Sequence, residues 1–180
     1  MLSRVADSLF WMARYLERTD AILRVLKISH ASSQDDIREF TWRPVLEIFG
    51  GLKEEEIPEL EKNGQAVLHL FIADRTNPNS VFNMVVKARE NARAVQDHIS
   101  RELWQCLNDL YHTVRNDRLL HSLRVEDPET VLDGLVRETM IYCGTSENTM
   151  FLGEGLYYMN VGKYLERCLQ AADILRLRLA

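Results

Sequence analysis

The chain has 180 residues, which is enough for one domain with a substantial buried core. An apolar fraction of 46% and a charged fraction of 27% are typical of a water-soluble globular protein and exclude a disordered tail. A net charge of −5 argues against nucleic acid and anionic membrane as partners, because both attract basic surfaces. No apolar run approaches the roughly 18 residues that a membrane span needs.

The cysteines and the N-terminus both bear on the compartment. Cys106, Cys143 and Cys168 are odd in number, are widely spaced and form no Cys-x-x-Cys pair. This pattern is typical of reduced cysteines that pack in the core of a cytosolic protein. The N-terminus reaches Asp7 before any apolar segment of signal-peptide length can form. We therefore expect a cytoplasmic protein.

Apolar residues recur with a helical period along nearly the whole chain. Leu2, Val5 and Leu9 begin the first such face, at spacings of three and four residues. Polar clusters and the few Gly and Pro residues separate the segments. The predicted helices cover residues 2–30, 41–49, 65–73, 80–98, 100–123, 127–144 and 149–180.

Side chains that cap helices mark several of these boundaries. Thr41, Ser80, Ser100 and Asp127 stand where N-caps are expected, and Pro128 follows the last of them at the first helical position. No strand-like alternation of useful length is present. The sequence therefore predicts an all-α fold, a single up-and-down helical bundle of about five to seven helices that occupies residues 1–180 as one domain.

A Glu-Arg pair in the first helix is the first candidate for a site. Glu17 lies at the edge of the face that carries Leu9 and Leu16, whereas Arg18 points nearly the opposite way. That opposite side is also apolar, so we expect the helix to be buried on both sides and Arg18 to need an acid or a bound anion. The pattern fits either a structural ion pair or a ligand site.

The first Glu-Arg pair belongs to a short internal repeat. Arg14-Tyr-Leu-Glu-Arg18 matches Lys163-Tyr-Leu-Glu-Arg167 near the other end of the chain. Four identical positions and one Arg/Lys difference suggest a duplication and do not establish one.

A second charged cluster lies in the middle of the chain. Arg89 and Arg93 stand one turn apart on one helical face, a geometry that suits binding of a carboxylate or phosphate. Glu90 lies on the neighbouring face and could pair with an Arg on another helix. A solvated charged face explains the same spacing equally well.

Other chemistries find little support in the residues. His98 and Glu102 have a spacing that a metal could use, but no Glu-x-x-His motif accompanies them. The chain has no Gly-x-Ser-x-Gly and no Gly-rich phosphate-binding motif. The sequence therefore predicts no metal and no cofactor.

Motifs that span the whole chain, in order, resemble those of the Alpha-E family, a helical domain named for its Glu-Arg motifs. The opening residues 1–11 and Arg14-Tyr-Leu-Glu-Arg18 are similar to the start of that family. The remaining matches are Asp74-Arg75, Asn77-Pro78, Ala88-Arg-Glu-Asn-Ala-Arg93, Ile99-Ser100, Glu102, Trp104, Leu107-Asn108, Gly144-Thr-Ser-Glu-Asn-Thr-Met150 and Gly162-Lys-Tyr-Leu-Glu-Arg167. The resemblance implies these candidate binding residues: Arg14, Glu17, Arg18, Arg89, Glu90, Asn91, Arg93, Glu102, Glu166 and Arg167.

Two departures from the family pattern matter. Where the family usually has Gly-Arg before the aromatic-Leu-Glu-Arg segment, this chain has Ala13-Arg14 and Gly162-Lys163. Lysine keeps the charge but lacks the planar fork of arginine, so a bidentate contact at that position is not expected. Family members are also typically longer, so the chain resembles the N-terminal portion of the family domain.

The resemblance also implies a functional setting. Family members look like helical companions of circularly permuted ATP-grasp proteins and transglutaminase-like proteins. We therefore expect an accessory module of a system that forms or modifies peptide or amide bonds, with an ATP-grasp-type ligase or a transglutaminase-like protein as partner and a peptide as its substrate. The alternatives are an enzyme that uses Glu17, Glu90 or Glu166 as acid or base, and a purely structural, oligomerising bundle.

Overall fold

A computed structural model of the chain describes residues 1–34, 40–125 and 127–179. Within these ranges the structure has nine α-helices, one 3₁₀ turn (Gln96–His98) and no strand, so the predicted all-α fold class is confirmed. The helices are α1 (Ser3–Gln34), α2 (Arg43–Phe49), α3 (Ile57–Leu60), α4 (Gly64–Ile72), α5 (Val81–Ala94), α6 (Arg101–Arg115), α7 (Asp117–Val125), α8 (Pro128–Thr149) and α9 (Glu154–Leu179). In the described ranges, no helix is both long enough and apolar enough to cross a membrane.

The described helices outnumber the five to seven that were expected, for two reasons. The single turn of α3 is too short to give a periodic signal in the sequence. Asn116 also divides the segment predicted as one helix over 100–123, because its backbone is extended and its Oδ1 accepts a hydrogen bond from the Arg118 amide at 3.0 Å. An Asn side chain that bonds nearby backbone ends one helix and begins the next.

Three of the four predicted caps are confirmed. The Ser80 hydroxyl accepts a hydrogen bond from the Asn83 amide, and Ser100 and Asp127 accept from amides in the first turns of α6 and α8. Thr41 is placed differently. Its hydroxyl accepts from the Arg43 amide at 3.2 Å, while Trp42 occupies the N-cap position of α2 without a side-chain bond.

The predicted ends of α1 and α8 shift in the structure, and α9 begins at Glu154 and not near residue 149 as expected. α1 continues to Gln34, and the rest of the polar segment 31–36, like residue 180, lies outside the described residues. α8 passes through Gly144 and ends at Thr149, where Met150 turns extended. A glycine inside a helix costs only about 1 kcal/mol, so the packing of α8 overrides the stop signal.

α1 is the central helix and packs most extensively against α9, α5 and α8. Leu9, Leu16 and Leu23 are almost entirely buried on it, and each such side chain contributes about 1.5–3 kcal/mol of burial free energy. The fully buried Thr19 satisfies its hydroxyl by donating to the Tyr15 carbonyl at 2.8 Å. Burial around most of its circumference is what places charged residues of α1 against other helices.

α1 and α9 run parallel, because their contacts advance together along both helices. The Met1 amino group pairs with Glu154, and farther along Arg14 pairs with Glu166. Between them, Gly162 lies so close to Phe10 that an added Cβ would overlap the Phe10 carbonyl oxygen. This close approach brings the middle of the two helices into direct side-chain contact.

Candidate functional site

Glu166 on α9 is the most buried charged residue in the described part of the chain, with 2% of its surface exposed. One carboxylate oxygen accepts from the Nε of Arg14 at 2.8 Å and the other from the Nε of Arg18 at 2.6 Å. Gln170 donates a longer bond of 3.4 Å to the second oxygen. Burying an ion costs several kcal/mol unless it is paired, and here two arginines from α1 supply the compensation.

The remaining members of the two Glu-Arg pairs also bind each other, but here the glutamate lies on α1 and the arginine on α9. The Nε of Arg167 donates to Glu17 at 2.6 Å, and this hydrogen bond raises the pKa of Arg167. The Glu17 side chain is 11% exposed, whereas that of Arg167 is 55% exposed. Each glutamate therefore pairs with the arginine of the other motif.

The internal repeat explains this reciprocal geometry. Since α1 and α9 run parallel, residues 14–18 and 163–167 lie side by side at the same level. Adjacent residues on a helix point about 100° apart, so Glu and Arg of each segment reach opposite sides of the contact between the helices. The two segments are related by a local two-fold arrangement.

The two-fold arrangement fails at the position where the two segments differ. Arg14 reaches across to Glu166, but Lys163 pairs with Glu147 on α8, at 3.0 Å, and lies 3.4 Å from the sulfur of Cys143. Burial lowers the pKa of Lys163, but the bond to Glu147 and the neighbouring Cys143 outweigh it and raise the pKa overall. The same bond lowers the pKa of Glu147.

A cavity of about 310 Å³ opens beside this cluster, between α1, α8 and α9. Its walls combine apolar side chains with six charged ones, and Glu17 and Arg167 belong to both the cluster and the wall. The lining residues that matter here are the apolar Leu16, Met140, Tyr142 and Met159 and the charged Glu17, Asp20, Arg24, Glu147, Lys163 and Arg167.

The charges on the cavity wall form three opposite pairs. Besides Glu17 with Arg167 and Glu147 with Lys163, Asp20 accepts from Arg24 at 2.7 Å and from the Thr139 hydroxyl at 2.6 Å. The bond to Asp20 raises the pKa of Arg24. Three cations and three anions around an apolar floor suit a ligand that carries both signs of charge and an apolar body.

A second cavity, of about 270 Å³, lies on the other side of the cluster. Arg18, Glu166, Gln170 and Asp173 line it together with residues of α2. The Glu-Arg cluster is therefore the wall between two cavities, and its ion pairs fix the shape of both.

The structure separates the remaining candidate residues from this site. Arg89 bonds to Asn108 at 2.7 Å, its guanidinium lies over the rings of Tyr111 and Trp104, and it contacts Glu90 at 3.4 Å. These contacts join α5 to α6. Arg89 does not line the cavity between α1, α8 and α9.

Arg93, Asn91 and Glu102 also lie apart from the cavity between α1, α8 and α9. Arg93 is exposed and has no ionic or hydrogen-bonding partner among the described residues. Asn91 donates to the Lys87 carbonyl of its own helix at 3.0 Å, and Glu102 is exposed in the first turn of α6. Of the ten candidates, the structure brings together Arg14, Glu17, Arg18, Glu166 and Arg167.

Sequence reasoning did not select several residues of the cavity wall, among them Asp20, Arg24, Cys143 and Glu147. Asp20 and Arg24 follow Glu17 at spacings of three and seven residues. This spacing indicates that all three lie on one face of α1. Cys143 and Glu147 also share one face of α8, but nothing in the sequence indicates that this face turns toward α1.

The buried Cys106 and the partly buried Tyr142 are poor proton donors at neutral pH. Burial, with the charges of Glu138 and Asp109, raises the pKa of the Cys106 thiol to about 11. Burial likewise raises the pKa of Tyr142 on the cavity wall. A protonated thiol is a weak nucleophile, so Cys106 is placed for packing.

Comparison with known proteins places the chain in a family. Over residues 1–180 it matches the model of the Alpha-E family, described as a predicted alpha-helical domain with a conserved ER motif. It is also 24% identical, over 197 aligned residues, to an uncharacterized protein of Mycobacterium bovis and equally to one of Mycobacterium tuberculosis. Each alignment covers 98% of this chain and 22% of the relative. No solved structure matches the chain at a significant level.

Proposed function

This chain belongs to the Alpha-E family, and from that premise we propose that it is an accessory helical module of an ATP-grasp-linked system that forms or modifies peptide or amide bonds. In this proposal the module works in the cytoplasm. It binds an ATP-grasp-type ligase or a transglutaminase-like protein and holds the peptide that the partner acts on.

The observation that carries the proposal is the cavity between α1, α8 and α9. Its volume of about 310 Å³ is at the lower end of the range for small-molecule sites and accommodates one or two amino-acid residues of a peptide. A peptide end or side chain of either charge finds an opposite charge on the wall, and an aliphatic side chain fits against Leu16, Met140 and Met159. These features support binding of a peptide segment.

The ion pairs of the Glu-Arg motifs support a binding role over acid–base catalysis. A general base needs a lone pair within hydrogen-bond reach of the proton that it removes. Both oxygens of Glu166 are engaged by arginines, and Glu17 is engaged by Arg167. We assign these residues to fixing the cavity wall and not to chemistry.

We also propose that the five long helices α1, α5, α6, α8 and α9 follow an up-and-down course. In an up-and-down course the first and fifth helices point the same way. The parallel packing of α1 against α9 supports this arrangement.

The test blocks the cavity and follows capture of the partner. Gly144 lines the cavity, and a Cβ built there meets nothing within 4 Å, so Gly144→Phe places a ring toward the cavity without a backbone clash. Gly134→Phe is the matched control, because Gly134 lies on the same helix with equal space and outside this cavity. Each chain is immobilised and offered the candidate ATP-grasp partner with its peptide substrate.

We expect wild type and Gly134→Phe to capture the partner–peptide complex and to change its ATP turnover. Gly144→Phe should raise the dissociation constant for peptide-dependent capture at least tenfold, or about 1.4 kcal/mol. Its circular dichroism spectrum should be unchanged. The proposal is wrong if wild type captures nothing and leaves turnover unchanged. Equal peptide-dependent capture by both variants would show that the peptide does not bind in the cavity.

A further inference from the structure

Each of the three ion pairs on the wall of the cavity between α1, α8 and α9 has one sheltered and one exposed member. The sheltered side chains are Glu17 (11% exposed), Lys163 (17%) and Asp20 (24%), and their partners are Arg167 (55%), Glu147 (60%) and Arg24 (50%), respectively. Water screens exposed charges far more than sheltered ones. A molecule in the cavity therefore meets two negative groups and one positive group that are only weakly screened.

The sheltered charges of opposite sign come from different helices. Glu17 and Asp20 are three residues apart on one face of α1, whereas Lys163 lies on α9. Arg167, which binds Glu17 at 2.6 Å, follows Lys163 by four residues on α9. Four residues of helix rise about 6 Å. The level at which α9 binds Glu17 therefore lies about 6 Å from the level of Lys163.

The two sheltered acids can bind a ligand without losing their present partners. In the described part of the chain, Glu17 accepts from Arg167, and Asp20 accepts from Arg24 and from the Thr139 hydroxyl. A carboxylate can accept about four hydrogen bonds. Both acids therefore keep acceptor capacity for the three donors of an ammonium group.

The Lys163 ammonium group also keeps a donor for a ligand. An ammonium group has three N–H donors. Among the described residues, Glu147 accepts one of them at 3.0 Å, and the sulfur of Cys143, which is a weak acceptor, lies at 3.4 Å. The remaining donor suits a carboxylate that enters the cavity, because hydrogen bonds between two charged groups are the stronger ones.

The spacing of the charges and the apolar wall together define the size of the ligand. An extended peptide chain spans at most about 3.3–3.6 Å per residue, so the charged ends of a dipeptide reach about 7 Å and those of one amino acid only about 3.5 Å. The levels of Glu17 and Lys163 differ by about 6 Å, which matches the dipeptide. Leu16, Met140 and Met159 supply an aliphatic surface for a side chain between the two ends.

From these observations we propose that the cavity binds a dipeptide that has both ends free and an aliphatic side chain. Its ammonium group lies between Glu17 and Asp20, and its carboxylate contacts Lys163. The inference rests on the function proposed above, since it narrows the peptide assigned to this cavity to two residues with free ends. Lys163 is then the residue that selects a free carboxyl end.

The first test titrates the chain alone with four small molecules, by isothermal titration calorimetry. They are glycyl-leucine, its N-acetyl derivative, which lacks the ammonium group, its C-terminal amide, which lacks the carboxylate, and free leucine. Hydrogen bonds to charged groups are worth about 1.5–3 kcal/mol, so the loss of either charged end should raise the dissociation constant about tenfold or more. Leucine should also bind more weakly than glycyl-leucine, because it cannot span both charged sites.

The second test assigns each end of the dipeptide to its residue. Lys163→Met should weaken binding of glycyl-leucine about tenfold and should leave no preference for it over its amide. Glu17→Gln should instead reduce the preference over the N-acetyl derivative. A merely structural loss would weaken all four molecules alike.

Lys27→Met is the matched control. Lys27 also forms an ion pair between helices, with Asp133 of α8, but it lies outside this cavity. Its substitution should leave every affinity unchanged, and circular dichroism establishes that all three variants are folded.

The inference is overturned if glycyl-leucine does not bind, if leucine binds as tightly, or if Lys163→Met keeps the preference for a free carboxyl end. These titrations contain no partner protein, so their failure leaves capture of the partner–peptide complex untouched. Binding of glycyl-leucine by a chain that captures no partner would support the dipeptide site and contradict the proposed function.

Discussion

Lys163 and Arg14 occupy the same position of the two repeated segments, and their side chains take different partners. Arg14 has a planar fork and reaches the buried Glu166 from α1. Lys163 is a point charge on a flexible stem and turns to Glu147 on α8 instead. One arginine-to-lysine difference is thus enough to end the symmetry of the cluster and to give the cavity one more ion pair.

Glu147→Gln tests this ion pair through its pH dependence. The hydrogen bond from Lys163 lowers the pKa of Glu147 below its ordinary value of 4.5. A lowered pKa in the folded state means that the stabilisation is present above pH 4.5 and is lost as the pH falls through the folded-state value. Because Glu147 is 60% exposed, solvent screens the pair. We expect wild type to exceed the variant by about 0.5 kcal/mol in free energy of unfolding at pH 7 and by nearly nothing at pH 3.

Urea unfolding of both proteins at the two pH values measures that difference. A difference that stays constant between pH 7 and pH 3 would show that Glu147 acts through its shape and not through its charge.

The sequence indicated that Arg18 needs an ionic partner, but it did not identify that partner. The apolar stripes on both sides of the first helix predicted that Arg18 would be partly desolvated. Nothing local to Arg18 points to Glu166, because the two are 148 residues apart. For Arg89 the spacing favoured a site equally with a solvated face. The structure shows a third arrangement, in which two aromatic rings and Asn108 hold the guanidinium.

The close contact between the helices α1 and α9 depends on Gly162. Any side chain at this position would overlap the backbone of Phe10, which is rigid inside α1. We expect Gly162→Ala to lower the free energy of unfolding by about 1–3 kcal/mol, the usual cost of overpacking.

Gly134→Ala is the control for that substitution. Gly134 also lies inside a helix, but an added Cβ meets nothing within 4 Å. Alanine there should raise the free energy of unfolding by about 0.5–1 kcal/mol, because it removes the entropic cost of glycine in a helix. Thermal and urea unfolding of the two variants measure both effects. Equal effects of the same sign would contradict the close approach of the two helices.

Three helix starts, those of α5, α6 and α8, were more predictable than the helix ends. Ser80, Ser100 and Asp127 have side chains that satisfy free amides, so each start has a local chemical cause that the sequence displays. The end expected at Gly144 depended on a weak preference, and tertiary packing of α8 overrode it. The division at Asn116 was missed because the same residue type is also common on exposed helix faces.

For the whole molecule, the internal repeat held more information than its five residues suggested. It indicated duplication, and it predicted neither that the copies lie side by side nor that their charges interlock. That arrangement follows from the parallel course of the first and last helices, which only the packing of the intervening helices determines. The cavity has the same origin, since its wall needs α1 from one end of the chain to lie against α8 and α9 from the other.

The central claim is that the two Glu-Arg segments form one charge cluster joining α1 to α9. A double-mutant cycle with Arg14→Gln and Glu166→Gln tests it most directly, by urea unfolding of the wild type, both single variants and the double variant. Glu166→Gln alone should cost about 3 kcal/mol, because it leaves two largely buried arginines without their acid. We predict that the double variant loses less than the sum of the single losses, with a coupling free energy of about 1–3 kcal/mol. Losses that add to within about 0.5 kcal/mol would mean that Arg14 and Glu166 do not act as a pair, and would contradict the account.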